Sequence, residues 1–291
     1  MESVPLKVNH MEQFQLIGHP LGHSMSPPIH ERLFALEERE AAYTLNSFPP
    51  EQFESHLAQL MALDGFNITI PYKQTILPHL DELHQSARLY GAVNTVRRLP
   101  DGRHIGYNTD CDGFLRTMSA HGVSLDTRVC VLGAGGVGRM FAIECARQGG
   151  DVTVAVRESG RSRAEALRKE IAEQFGRKIS LCDIASPEGR FGLLINATPV
   201  GMFPKVDACP VPESFLTSVG AVFDCIYNPA ETLLLRRAKT AGCLCMGGMH
   251  MLVWQAAVAH EYWHGCSFDN ASVDRIVDEM HEILLRKERE A

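Results

Sequence analysis

The chain has 291 residues, 45% of them hydrophobic and 22% charged, which is ordinary for a globular protein and enough for two domains. A net charge of −7 offers no basic surface to nucleic acid or an anionic bilayer, and no run reaches about 18 uninterrupted apolar residues, so neither partner is expected. The nine cysteines are odd in number and scattered, several inside apolar runs, the pattern of reduced thiols in the cytoplasm rather than of a disulfide framework.

Residues 1–13 contain no long apolar segment, so no secretory leader is expected. Residues 13–18 (QFQLIG) read as a first strand, followed by a polar loop over 19–28. A helix over 29–36 turns Ile29, Leu33, Phe34 and Leu36 inward. A short strand at 42–45 precedes a helix opened by Pro49-Pro50-Glu51, with Phe53, Leu57, Leu60 and Met61 on one face. Residues 65–70 (GFNITI) form a strand stopped by Pro71, and short helices follow around 75–79 and 83–89. Strands at 93–98 and 104–107 flank a Pro100-Asp101-Gly102 turn, and 110–121 begins a longer helix. Strands alternating with helices make this part an α/β domain of its own.

The run 129–138 (VCVLGAGGVG) then places an apolar strand directly before Gly133, Gly135 and Gly138. In G-x-G-x-x-G the glycines serve a tight turn, close backbone approach to a pyrophosphate, and close helix–strand packing. A helix continues to Arg147, Gln148-Gly149-Gly150 stops it, and 151–156 (DVTVAV) is the second strand. This β-α-β context points to a dinucleotide site, with the amides of Gly135–Val137 at the positive helix end holding the pyrophosphate. Beyond it a helix is expected at 163–175 and strands at 178–183, 192–195, 221–225 and 243–246. Helices are expected at 231–240, 249–263 and 272–289, the last with Val273, Ile276, Val277, Met280, Ile283 and Leu284 on one face. Cys243-x-Cys245 lacks the second ligand pair of a structural zinc site and reads as strand core. The tail is too short for a third domain and is expected to return to the first.

Three polar clusters stand at predicted strand ends. Ser24-Met25-Ser26 offers two hydroxyls to one carboxylate, although Ser26 fits equally as a helix N-cap. In 67–73 (NITIPYK) alternation puts Asn67 and Thr69 opposite Ile68 and Ile70, and Lys73 suits either a solvated helix start or a catalytic ammonium. Asn94-Thr95 and Asn108-Thr109-Asp110 form the third cluster, in which Asp110 either caps the next helix or pairs with a lysine for proton transfer. A lysine's ordinary pKa of about 10.4 makes desolvation or such coupling necessary for a base at neutral pH. His260-Glu261-Tyr262-Trp263-His264 matches H-E-x-x-H, but the extended zinc-protease form is absent. A third ligand would have to come from Asp278, Glu279 or Glu282, so no metal is expected and a metallohydrolase is a remote alternative.

Read in order, GHPLGHSMSPPIH, GFNITIPYK, GAVNT, GYNTD, VLGAGGVGR, NATPVGM, DCIYNPAETLLLRRAKTAG and GMHMLVWQAAVAHEYWHG resemble the shikimate dehydrogenase family over nearly the whole chain. The resemblance implies an α/β fold with an N-terminal substrate domain, a Rossmann-type nucleotide domain, and C-terminal helices returning to the first domain. The implied boundaries are 1–111 with 247–291 for substrate and 112–246 for nucleotide. It implies reversible reduction of 3-dehydroshikimate to shikimate with a nicotinamide cofactor. Ser24 and Ser26 then bind the carboxylate, Asn67, Thr69, Asn94 and Gln255 bind hydroxyl or carboxylate groups, and Lys73 and Asp110 form the proton-transfer pair. Tyr227 and Gly248 line the join between substrate and nicotinamide. The cofactor falls to Gly133, Ala134, Gly135, Gly136, Val137, Arg157, Arg161, Thr198, Cys225 and Gly248. His260–His264 falls on the family's structural segment ending in Trp-x-Gly, here Trp263-His264-Gly265.

One departure concerns the cofactor. The family's NADP pattern is Asn-Arg-Thr followed by a second base, whereas this chain has Val156-Arg157-Glu158-Ser159-Gly160-Arg161. Both arginines favour a 2′-phosphate, while Glu158 suits a ribose 2′-hydroxyl, so NADP is expected with NAD as the alternative. Mixed quinate/shikimate activity is the runner-up, and a non-catalytic cofactor-sensing module is a third reading, opposed by the presence of Lys73 and Asp110. A homodimer is the expected assembly if the chain is not a monomer.

Overall fold

The computed structural model describes residues 11–22 and 24–290, so the reading of residues 1–10 as free of a leader falls outside the described residues. Contacts divide the chain into two compact units: the part up to Thr109 with Ala256–Phe268, and Asp110–Gln255 with Asp269–Ala291. Of the expected returning segment 247–291, residues 256–268 group with the first unit and the remainder with the second.

The first unit is built on β1 (Glu12–Gly18), α1 (Ser26–Leu36), β2 (Ala41–Ser47), α2 (Phe53–Leu60), β3 (Gly65–Ile68), β4 (Glu82–Leu83), α3 (Gln85–Tyr90), β5 (Thr95–Arg98) and β6 (His104–Tyr107). Its sheet runs β2-β1-β3-β5-β6-β4, with β1 parallel to both neighbours and β5 antiparallel to β3 and β6. Alternation along the strands splits the core: Ile17, Phe66, Ile68 and Val96 face one way with Phe48, Phe53 and Tyr72, while Phe14 turns to Phe34, Ala259 and Trp263. Gly65 is required by this second layer, because a Cβ there would stand 2.5 Å from Trp263 Nε1, which donates to the Val96 carbonyl at 2.9 Å.

Several boundaries moved for local reasons. Helix α1 starts at Ser26 rather than 29, since prolines are tolerated in a first turn that needs no backbone N–H. Strand β3 ends at Ile68, and Ile70, expected on the buried face, is 73% exposed. Thr75–His79 forms only a 3-10 turn at Leu77–His79 around Pro78, and Leu83 leaves the expected helix to pair with Gly106 in β4.

The second unit holds α4 (Asp110–Ala120), β7 (Arg128–Leu132), α5 (Gly136–Arg147), β8 (Asp151–Val156), α6 (Arg161–Phe175), β9 (Ser180–Asp183), β10 (Phe191–Asn196), α7 (Glu213–Leu216), β11 (Val219–Asp224), α8 (Leu233–Thr240) and β12 (Leu244–Met246). Helix α9 (Gly248–His264) is divided between the units at Gln255, and α10 (Asn270–Glu290) groups with the second. The sheet is parallel throughout in the order β12-β11-β10-β7-β8-β9. Counted from β7, that is the doubly wound order 3-2-1-4-5-6, whose direction reverses between β7 and β10. Its strands read as continuous apolar runs because helices cover both faces. The expected face of α10 holds, with Val273, Ile276, Val277, Met280 and Leu284 buried. Cys243 is buried and its thiol donates to the carbonyls of Leu216 and Val219, as a core residue does.

Candidate functional site

The carboxyl ends of β7 and β10 meet at the switch point, where Leu132 is in register with Asn196. Gly133 there takes φ +98°, a left-handed conformation that glycine alone adopts without strain. A Cβ on Gly138 would stand 2.3 Å from the Gly133 carbonyl oxygen, so the third glycine lets α5 close on the turn. At Gly135 and Gly136 nothing lies within 4 Å of where a Cβ would be. This open stretch exposes the first N–H groups of α5, which have no partner within the helix, and fits a phosphate. Ala134 and Val137 flank it, and Thr198 sits across the switch point, its Cγ2 3.1 Å from the Cβ position of Gly133.

Thr198 is held by Asn196, whose Oδ1 accepts from its amide at 3.0 Å and its hydroxyl at 2.7 Å. Asn196 in turn donates to Asp224 at the end of β11, at 3.0 Å. Asp224 also accepts from the Thr232 hydroxyl at 2.7 Å and the Ile226 amide at 3.1 Å. Burial pushes its carboxyl up to about 6 despite these donors. This buried network supports the two loops carrying Thr198 and Cys225, and sequence reasoning gave Asp224, Asn196 and Thr232 no site role. Asn196 and Asp224 are polar residues ending apolar strands, and Thr232 is the N-cap of α8. Cys225 follows β11, and burial pushes its thiol up to about 12. Gly248 opens α9 against the same turn: a Cβ would stand 2.3 Å from the Cys225 carbonyl oxygen. Tyr227, two residues beyond Cys225, has its phenol raised by burial.

Arg157 and Arg161 bracket a 3-10 turn after β8 and both are exposed, as is Glu158 between them. Arg161 lies 3.4 Å from Glu165, one turn along α6. Asp110 starts α4, where the helix dipole favours a carboxylate. Gln255 stands on α9 and donates to the Leu252 carbonyl at 2.8 Å. The two elements approach closely at Gly113, whose Cβ would lie 2.7 Å from the Met251 carbonyl and 3.1 Å from the Gln255 Cβ.

The first unit gathers its polar residues around the ends of β3 and β5. Asn67, expected on a polar face, is only 4% exposed. Its Oδ1 accepts from the Tyr43 hydroxyl at 2.8 Å, and its Nδ2 donates to the Thr95 hydroxyl at 2.9 Å and the Asn94 carbonyl at 3.3 Å. Asn94 donates to the Thr109 hydroxyl at 3.0 Å and accepts from the Thr109 amide at 2.8 Å. Asn67 and Asn94 therefore belong to one network, which joins the second and third polar clusters through Thr95 and Thr109 and adds Tyr43, a residue the sequence did not single out. Burial raises the Tyr43 phenol, keeping it a neutral donor.

Lys73 is anchored beside this network by its carbonyl, which accepts from Val93 at 2.8 Å, and by the buried Tyr72 preceding it. Thr69 continues the sheet through its amide, donated to Ile17 at 2.8 Å. Ser24 and Ser26 are brought together, the Ser24 hydroxyl accepting from the Ser26 amide at 3.2 Å. Ser26 is not the N-cap that was its other reading: Met25 holds that position and no side chain caps the helix.

Against known proteins, residues 16–96 match the family model described as the shikimate dehydrogenase substrate binding domain. The chain is 36% identical over 274 residues to a shikimate dehydrogenase (NADP(+)) of Methanocaldococcus jannaschii, covering 90% of this chain and 96% of that one. To the enzyme of the same name from Haloarcula marismortui it is 38% identical, covering 94% and 100%. A crystal structure of shikimate 5-dehydrogenase from Thermus thermophilus in complex with NADP(H) and shikimate superposes with a TM-score of 0.82 at 36% identity, covering 93% and 100%.

Proposed function

The chain belongs to the shikimate dehydrogenase family, and we propose on that footing that it catalyses the reversible NADP-dependent reduction of 3-dehydroshikimate to shikimate. The observation that carries the reading is the open Gly135–Gly136 stretch at the switch point of a sheet in nucleotide-binding order. Gly133–Val137, Thr198, Cys225 and Gly248 would hold the cofactor, and the exposed Arg157 and Arg161 suit a 2′-phosphate. Bound NADPH supplies the hydride. The functional halves are proposed as 1–111 with 247–291 for substrate and 112–246 for nucleotide.

Toward the substrate, Ser24 and Ser26 donate to the ring carboxylate, and Asn67, Thr69, Asn94 and Gln255 orient its hydroxyls, with Tyr227 at the nicotinamide side. The hydrogen-bonded rigidity of Asn67 and Asn94 supports this, since groups locked before binding lose little entropy on it. Lys73 would donate the proton that the ring oxygen takes up as it becomes an alcohol, regaining its own from solvent, with Asp110 the carboxylate that favours the charged ammonium. A cytoplasmic setting agrees with nine free cysteines, and no helix among the described residues is long and apolar enough to cross a membrane.

The test is a steady-state assay of nicotinamide reduction with shikimate and quinate against NADP and NAD. Shikimate with NADP is expected to be the preferred pair, and a tenfold or larger kcat/KM preference for quinate or NAD, about 1.4 kcal/mol, overturns the assignment. Lys73→Ala and Asp110→Ala are each expected to lower kcat by roughly 10²–10⁴-fold with NADP affinity intact. Near-wild-type turnover in either removes that residue from the mechanism.

A further inference from the structure

The first unit contains a buried cluster of metal-type ligands that the dehydrogenase reading does not use. The i, i+4 spacing of His260 and His264 places both imidazoles on one face of α9. The third group comes from neither Asp278, Glu279 nor Glu282 but from Glu37, which caps the far end of α1. Glu37 Oε1 lies 2.5 Å from His260 Nδ1, and Oε2 lies 2.6 Å from His264 Nδ1. One ligand atom of each residue falls within 4.8 Å of the others. The His260 side chain is fully buried, and those of Glu37 and His264 are 5% exposed. Cys266, two residues past His264, is half-buried, and burial and the Glu37 charge push its thiol up to about 12.

Hydrogen bonding accounts for only part of the cluster: His260 Nδ1 and Glu37 Oε1 are hydrogen-bonded at 2.5 Å, but the His264 side is not. Among the described residues, Glu37 Oε2 and both ring nitrogens of His264 are buried without a hydrogen-bond partner, so His264 Nδ1 and Glu37 Oε2 are close but out of line. Read as ion pairs, Glu37 Oε2 meets Arg39 at 3.1 Å and His264 at 2.6 Å, and His264 Nε2 lies 3.7 Å from Glu12, but none of these contacts is aligned as the hydrogen bond that buried polar groups rarely lack. A cation shared by the facing lone pairs supplies that partner.

We propose that Glu37, His260, His264 and Cys266 form a structural site for a divalent transition metal, with zinc the best match. One carboxylate oxygen, two imidazole nitrogens and one thiolate make a four-ligand set of the kind zinc takes tetrahedrally. The charges close as well: two on the metal and one on Arg39 balance Glu37, the Cys266 thiolate and Glu12, whose carboxylate lies 3.2 Å from Arg39 and 3.7 Å from His264 Nε2. With the metal on Nδ1, His260 carries its hydrogen on Nε2 and donates to His30 Nδ1 at 2.9 Å, the outer-shell contact that orients a ligating imidazole. All four positions are filled by protein, so the site binds the end of α1 to the last turn of α9 and leaves no position for a hydrolytic water.

The test uses the full chain, stripped with a chelator and titrated with Co²⁺ and then Zn²⁺. Uptake of one equivalent with the visible bands of tetrahedral cobalt and a thiolate charge-transfer band is expected, with zinc displacing cobalt. Cys266→Ser should abolish the charge-transfer band while its turnover of shikimate persists, and His264→Gln should weaken cobalt binding at least roughly tenfold. Absence of stoichiometric uptake, an octahedral spectrum without the thiolate band, a band that survives Cys266→Ser, or affinity unchanged by His264→Gln each overturns the site.

Discussion

Asp224 is a fully buried carboxylate with three hydrogen-bond donors aimed at it. Burial outweighs those donors and raises its pKa from 3.8 to about 6, so the folded protein holds this proton more tightly than the unfolded chain. The stabilisation from this group is complete below the unfolded value of 3.8 and is lost as pH rises through about 6. Urea denaturation of Asp224→Asn and wild type across that window is expected to show a downward slope of stability in the wild type that the variant lacks. Asn67 has the opposite character, a neutral group whose amide nitrogen makes two hydrogen bonds and whose oxygen accepts one. Asn67→Ala strands the buried Tyr43 hydroxyl, and an expected loss of about 1–3 kcal/mol is readable by the same measurement. A rise in KM for shikimate in that variant, with KM for NADP unmoved, would support the proposed ligand role.

Among elements, α4 and α9 are tied by a single missing side chain. Gly113 sits at the end of the first turn of α4, where glycine costs helix stability by up to about 1 kcal/mol relative to alanine. It is present because α9 passes so near that a Cβ would meet the Met251 carbonyl at 2.7 Å. Gly113→Ala is therefore expected to destabilise by about 1–3 kcal/mol despite its better helix propensity. Because the same Cβ would meet Gln255, KM for shikimate should rise as well. Improved thermal stability with unchanged KM would show that the helices have room to part. The C-terminal half of α9 makes a comparable approach to β3 at Gly65, under Trp263.

At the scale of the whole molecule, the parallel sheet and the mixed sheet are separate cores, each with its own fully buried residues. A ligand that binds only the folded form stabilises it by about 2.7 kcal/mol at a hundredfold excess over its Kd. NADP is expected to raise the melting temperature in calorimetry by a few degrees, and Arg157→Ala should reduce that shift for NADP more than for NAD. Equal shifts with both cofactors in the wild type would instead favour the ribose-binding reading of Glu158.

The legible parts of this protein were those carried by short-range chemistry. Strand β8 and helix α5 lie where apolar runs and glycines put them, and the glycine turn needed no tertiary information because φ at Gly133 and the clearance at Gly138 are local demands. The clusters around Asn67, Asn94 and Asp110 announced themselves as polar residues at the ends of apolar strands. What the chain order hid was which distant groups meet. Tyr43 reaches Asn67, Asp224 gathers Asn196 and Thr232, and Glu37 meets His260 across 223 residues of sequence, with His264 beside it. Local propensity acts over a few residues, whereas these contacts follow from sheet order and helix packing, so only the tertiary structure could decide them.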